Sequence, residues 1–391
     1  MRSATPRRIR VGIAGMGAAG QAFVPALLAH PGFEWLAFAE PVESLRSRFQ
    51  HTHHIAGYAG MAALLEHVGL DAVIVATPTP LHAAQVQAAA RMRKHVLVEK
   101  PMAVALDDAH AMVAAADAAG VVLMVGHSHS FDAPISAMRQ VITSGEIGRV
   151  RMVHNWCFSD WVNRPRRPDE LDAGQGGGVT FRQGSHQFDV IRYLCGGRAR
   201  SVRAKTFDCN PQRPTTGAHT VFIDFEDGPA ATAVYNGYGG FSSMDLCFDI
   251  SEWGLHQPPA QRSRAPPTAG VTAAQELLAK QARAAGAISA TAPHPPMFGL
   301  TLVSCERGDI RQSAHGLQVH TRVGMREVPV SSQRSPRELV LDELHAAITA
   351  HQPATHSGRW GLANLELCTA AIESSRTARE VTLRWQVALV D

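Results

Sequence analysis

Apolar residues gather along this chain in short runs, and between about residues 10 and 130 those runs alternate with longer stretches of helical spacing. Val11 to Ala14 opens the series, and Trp35-Leu36-Ala37-Phe38-Ala39, Ala72-Val73-Ile74-Val75-Ala76, His95-Val96-Leu97-Val98 and Val121 to Val125 follow. Runs this short and this continuously apolar are what strands buried on both faces require. Helical pattern fills the intervals after Glu40 to Phe49, from Met61 to Val68, His82 to Arg91 and Asp107 to Ala119. Strict alternation of the two predicts a parallel sheet with right-handed crossovers, a doubly wound α/β (Rossmann) domain over residues 1–130. Pro25 falls inside the first expected helix, which it should end or kink.

Beyond Phe131 the pattern changes. A helix runs to about Ser144, and then strand-like runs dominate: Val150 to Trp156, Ser201 to Phe207, Thr220 to Phe225, Ala230 to Tyr235, Asp245 to Ile250, Leu300 to Cys305, Gly316 to Thr321 and Glu327 to Val330. Glu338 to Ala350 and Leu362 to Thr377 close the chain as helices. Many strands with few helices between them predict an α+β domain over residues 131–391, built on a largely antiparallel open sheet. A proline- and alanine-rich stretch of about residues 253–297, with a helical centre from Ala273 to Ala285, reads as an insertion on it.

At 391 residues the chain can bury two cores. Its formal charge of +3 is too small for a nucleic-acid binder, and no window approaches the apolar length of a membrane span. Met1 to Arg10 is short and basic with no apolar signal core behind it, so a cytoplasmic protein is the expectation. The six cysteines stand singly, as reduced packed thiols do. His51-Thr52-His53-His54 lies in a polar connection without carboxylate or cysteine partners, and neither it nor His127-Ser128-His129 is expected to bind a metal.

Chemistry concentrates at the expected strand ends, where doubly wound sheets bind ligands. The first strand runs into Gly15-Met16-Gly17-Ala18-Ala19-Gly20, a G-x-G-x-x-G turn whose glycines permit the sharp turn, the approach of a pyrophosphate and close helix packing. Glu40 ends the second strand twenty residues after Gly20, where a carboxylate can accept from adenosine ribose hydroxyls and repel a 2′-phosphate, favouring NAD over NADP. Thr77-Pro78 ends another strand, and Lys100, between Glu99 and Pro101, ends the next, where its charge can stabilise an alkoxide. In the second domain Gly176-Gly177-Gly178 precedes Arg182, His186 and Asp189, spaced to share one helical face. His186 is the natural proton acceptor, and His127 follows a strand towards the cleft. Arg164 and Arg166, with Arg182, offer guanidinium groups suited to planar carboxylates.

At these residues the chain resembles the glucose–fructose oxidoreductase/inositol dehydrogenase family (Gfo/Idh/MocA). The resemblance spans nearly the whole chain and rests on the glycine turn, Thr77-Pro78 with His82, Glu99-Lys100-Pro101 and the Gly176 to Asp189 segment. It implies a nicotinamide cofactor, with His82 and Glu99 at its site, and a carbinol-oxidising centre between the domains. It also implies Lys100 and His186 as catalytic residues, and a homo-oligomer, dimer or tetramer, formed through the open sheet. Arg182 stands where sugar and inositol dehydrogenases of the family carry an aspartate, a base in place of an acid. Gly126-His127-Ser128-His129-Ser130-Phe131-Asp132, the insertion after Trp253 and Phe298-Gly299-Leu300 through Ser304-Cys305-Glu306-Arg307 resemble a subgroup of carboxylated dihydrodiol dehydrogenases. For that subgroup the implied substrate is cis-4,5-dihydroxy-4,5-dihydrophthalate, oxidised to the catechol in aromatic degradation. A polyol or sugar acid dehydrogenase, and a dinucleotide-binding sensor without turnover, remain the alternatives.

Overall fold

The computed structural model describes residues 7–262, 271–286, 292–331 and 333–390. Met1 to Pro6, part of the short basic N-terminus, and parts of the insertion lie outside the described residues. The first sheet is built from β1 (Ile9–Ala14), α1 (Ala18–Ala29), β2 (Phe33–Ala39), α2 (Glu43–His53), β3 (Ala56–Tyr58), α3 (Met61–Leu65), β4 (Ala72–Val75), α4 (His82–Arg91), β5 (His95–Val98), α5 (Leu106–Ala119) and β6 (Leu123–Val125). Its six strands are parallel in the order β3-β2-β1-β4-β5-β6. The order reverses beside β1, which opens a crevice at the carboxyl ends of β1 and β4. Alternation along each strand divides the core. Val11, Ile13, Ile74 and Leu97 face α1, while Ala14, Val73, Val75, Val96 and Val98 face α4 and α5. Pro25 does not end α1, which runs on to Ala29.

After α6 (Ala133–Thr143) come β7 (Val150–Phe158), α7 (Pro168–Leu171), α8 (Val179–Arg182), α9 (Gly184–Cys195), β8 (Ala199–Phe207), β9 (Ala218–Phe225), β10 (Ala230–Asn236), α10 (Ala273–Gly286) and β11 to β14 (Leu300–Cys305, Gly308–Ser313, Gly316–Thr321, Gly324–Pro329). Helices α11 (Pro336–Thr349) and α12 (Gly358–Thr377) and the short β15 (Val381–Thr382) end the chain. The second sheet has nine strands, β14-β13-β12-β11-β7-β10-β9-β8-β15, antiparallel except for β10 on β7. One face packs on α9, α6 and α12. The other leaves Met152, Trp156 and Phe222 exposed.

Two departures from the sequence pattern have local causes. Asp245 to Ile250 is not a strand, because Phe248 and Asp249 adopt left-handed backbone that no ladder accommodates. Strand β12 ends in buried Gln312 and Ser313, on opposite faces, and those polar residues conceal its periodicity. The last helices also do not stay with the second sheet alone. Val340, Leu341 and Leu344 of α11 join the core under α1, and Val125 N–H donates to His356 O beside the edge of the first sheet.

Candidate active site

The glycine turn has the shape its sequence demands. Gly15 has φ +91°, and a Cβ there would lie 2.8 Å from Ala76 O; one on Gly20 would lie 2.0 Å from Gly15 O. A Cβ on Gly17 would meet nothing within 4 Å, so the start of α1, which has no side-chain cap, opens onto free space. Unpaired amides at an open helix start suit a pyrophosphate, so these residues fit a dinucleotide. Glu40 is buried, and its two oxygens accept from Met16 N–H at 3.0 Å and Val42 N–H at 3.0 Å, tying the turn to the end of β2. Thr77 donates to Gln85 at the neighbouring strand end, and Pro78 leads the turn into α4.

His82 is not at the cofactor surface. It is buried at 1% exposure, with Nδ1 3.0 Å from Pro101 O and Nε2 2.9 Å from Thr77 O, and so it braces the two strand-end loops from beneath. Glu99 is also buried. It accepts from Lys100 N–H and pairs at 2.6 Å with Arg337, whose guanidinium lies over Phe23. Arg337 comes from α11, more than two hundred residues downstream, and nothing near Glu99 in sequence announces it.

Lys100 reaches across the domain boundary, its Nζ donating to Arg182 O at 3.0 Å. Burial lowers its pKa to about 8, Glu99 resisting and Arg182 and Arg337 assisting. Arg182 and His186 do not share one continuous helix, because α8 ends at Arg182 and α9 begins at Gly184. The break at Gln183 places His186 in the first turn of α9, where the helix dipole disfavours an imidazolium. Burial pushes its pKa well below the usual histidine range, with the charge of Lys100 next in effect and His129 after it. The charge of Lys100 is thus felt by the imidazole of His186, which it helps to keep neutral. His186 Nδ1 is buried without a hydrogen-bond partner. Its ring meets His129 edge-on at 4.4 Å, and His129 stacks on Phe298 at 4.3 Å. Phe298 was noted in sequence only as part of a resemblance. Glu252 carried no signal at all, yet its charge bears on Lys100, Asp132 and Arg164.

The arginines are present but largely committed to the protein's own acids. Arg164 pairs with Asp160 at 2.5 Å and lies 3.7 Å from Glu252. Burial opposes its charge, yet Glu252 and Asp160 hold its pKa above the ordinary arginine value. Arg166 turns inward, donating to Trp161 O and lying over the Trp161 ring. Arg182 bridges the domains, donating to Thr79 Oγ1 and to Asp169 Oδ2, both at 3.1 Å, while its Nε is buried without an acceptor. An open basic wall is therefore not what the structure presents, since each guanidinium needs a carboxylate to offset the cost of leaving water.

Asp189 and His127 lie below the site rather than at it. Asp189 is fully buried and accepts from Trp360 Nε1 at 2.7 Å beside His356. His356 sits between Asp189 and Glu343. Burial opposes its charge, but those two carboxylates raise its pKa to about 10, so it is an imidazolium that staples α9 to α11. His127 is buried beside Asn364, and its pKa is pushed by burial down to about 4. Among the described residues no group of three His, Cys, Asp or Glu is arranged to hold a metal ion, and no helix is long and apolar enough to cross a membrane.

A dinucleotide turn on a doubly wound sheet, with a lysine at a strand end of that sheet reaching to a second domain that carries a neutral histidine, defines a nicotinamide-dependent oxidoreductase. The chain belongs to the GFO/IDH/MocA oxidoreductase family. The family's NAD-binding Rossmann domain matches residues 9–127 and its C-terminal domain residues 135–245. The chain is 35% identical over 380 residues to the 1-carboxy-3-chloro-3,4-dihydroxycyclohexa-1,5-diene dehydrogenase of Comamonas testosteroni, covering 94% of this chain and 95% of that protein. A putative dehydrogenase from Bordetella bronchiseptica RB50 superposes with a TM-score of 0.85 at 36% identity, covering 96% of this chain and all of that one. The WlbA dehydrogenase of Bordetella pertussis, crystallised with NADH and UDP-GlcNAcA, shares the fold at a TM-score of 0.70 and 21% identity, over 97% of this chain and 99% of that one. The protein is an NAD-dependent oxidoreductase.

Proposed function

We propose that this chain oxidises a carboxylated aromatic cis-dihydrodiol to the corresponding catechol. The observation that carries the proposal is Lys100 Nζ reaching Arg182 O at 3.0 Å, with Arg182 Nε and His186 Nδ1 both buried without a partner. Gly15, Met16, Gly17, Ala18 and Ala19, with Thr77 and Pro78 flanking and the remaining lone pairs of Glu40 available to the ribose hydroxyls, would hold NAD⁺, which would supply the hydride acceptor. His186, being neutral, takes the hydroxyl proton, and Lys100, being charged at neutral pH, stabilises the alkoxide oxygen. Phe298, beside the His186 ring at 5.2 Å, offers an aromatic wall to a flat ring. The buried, unpaired Nε of Arg182 is one donor waiting for a carboxylate oxygen, and the carboxylated diene diol named for the Comamonas relative has one carboxylate to give it. Cis-4,5-dihydroxy-4,5-dihydrophthalate, with two, is the fuller form of the same substrate class.

The test is a comparison of NADH formation from the mono- and dicarboxylated cis-dihydrodiols, the uncarboxylated diol, a sugar acid and a neutral polyol. The reading expects a carboxylated diol to exceed the uncarboxylated one by roughly tenfold or more in kcat/KM, the value of one charge-assisted hydrogen bond. A preference for the sugar acid would move the substrate class, and no NADH from any carbinol would leave a binding protein.

A further inference from the structure

Oxidising one carbinol of a cis-dihydrodiol does not by itself make a catechol. The first product is a dienone carrying C=O next to a carbon that still holds one hydrogen and one hydroxyl. To become aromatic, that carbon must lose its proton. The C–H electron pair then forms the double bond between the two oxygenated carbons, the carbonyl electrons move onto oxygen, and that oxygen takes a proton. No atom or electron is gained overall. The step needs a base at the second carbon, and His186 is already carrying the proton from the first hydroxyl.

The structure offers a second histidine beside the first. His129 Nδ1 lies 2.8 Å from Asp132 Oδ2, and Asp132 is 1% exposed. Because a carboxylate can only accept, the proton of a neutral His129 belongs on Nδ1 and the lone pair on Nε2. That Nε2 makes no hydrogen bond among the described residues. His82, His219 and His356, by contrast, engage both ring nitrogens. A histidine that only fills space has no need of a buried carboxylate, whose own desolvation is costly. The His129 ring stands perpendicular to that of His186, at 79°, and nearly parallel to Phe298, at 19°. Two imidazoles at right angles above one aromatic wall can address two adjacent ring carbons.

We infer that His129, held by Asp132, is a second catalytic base that removes the carbon-bound proton of the neighbouring carbinol, so that the dienone becomes the catechol on the enzyme. The inference rests on the dihydrodiol reading above. His186 returns its proton to the carbonyl oxygen and His129 keeps the proton from carbon until release, which balances the one proton liberated with each NADH. Asp132 is a positioning residue that fixes the tautomer.

The experiment follows NADH and catechol separately in a single turnover of the NAD⁺-loaded enzyme with the carboxylated diol. In the wild type the two should appear together at a rate independent of buffer concentration. In His129→Gln, NADH should still form while catechol lags by roughly 10²-fold or more and comes to depend on buffer; Asp132→Asn should lag less. Catechol that keeps step with NADH in His129→Gln, or that follows buffer concentration in the wild type, overturns the inference. Should His129→Gln produce no NADH, Asp132→Asn decides: catechol that lags behind NADH and follows buffer concentration supports His129, and catechol that keeps step with NADH overturns it. Absence of NADH from every dihydrodiol in the wild type would instead reject the substrate reading, and the inference with it.

Discussion

Lys100 has two protonation states within reach of ordinary assay conditions, and they do different chemistry. Below about pH 8 it is an ammonium, able to stabilise an alkoxide; above, it is neutral. His186, lowered well below its ordinary value, stays neutral on both sides of that point. The kcat for carbinol oxidation should therefore be flat from about pH 6.5 to 8 and fall above it. In Lys100→Met the descending limb should vanish, with kcat reduced by roughly 10²–10³. A rate that rises through pH 8 would make neutral Lys100 the proton acceptor instead. Lys100 and His186 were legible in sequence because each follows a local signal, a strand end or a glycine run. The mates that tune them were not: Arg337 beside Glu99 and Glu252 near Lys100 arrive through chain reversals that no local pattern encodes. Asp189 was misplaced for a related reason. Helical spacing put it on one face with His186, but that face also turns into the interior, where Trp360 and His356 claim the carboxylate.

At the scale of elements, the insertion is held to the rest of the protein by charge. Glu276 of α10 accepts from Arg213 at 2.8 and 2.7 Å and from Arg166 N–H at 2.7 Å, and Lys280 pairs with Glu170. These links fix α7, whose Asp169 in turn holds Arg182. Opening one partly buried pair by truncating a partner costs about 3 kcal/mol, so Glu276→Ala should speed tryptic cleavage after Lys280 by roughly 10²-fold, read by the mass of the fragments. Unchanged cleavage would show that apolar packing holds α10. The helix itself was visible in its alanine-rich spacing, whereas its docking was not, since ion pairs leave no periodicity. Strands β1, β2, β4 and β5 stood out because burial on both faces demands continuous apolar residues. Strand β3, three half-buried residues long, has too little pattern to detect.

Taken whole, the molecule is two sheets tied together by the helices at the end of the chain. A division at residue 130 captures the first sheet but not α11, which returns to pack beneath α1. Loop and helix residues His356, Glu343 and Trp360 then lock α9 in place through Asp189. This return was invisible in sequence because a helix's apolar face does not say which sheet it will cover. The most direct test of the account is single-turnover hydride transfer from the carboxylated cis-dihydrodiol in wild type and His186→Ala, with NAD⁺ affinity measured on both. Removal of the proton acceptor should slow NADH formation by roughly 10²–10⁴-fold while leaving NAD⁺ binding unchanged. NADH formation at the wild-type rate in His186→Ala would contradict it.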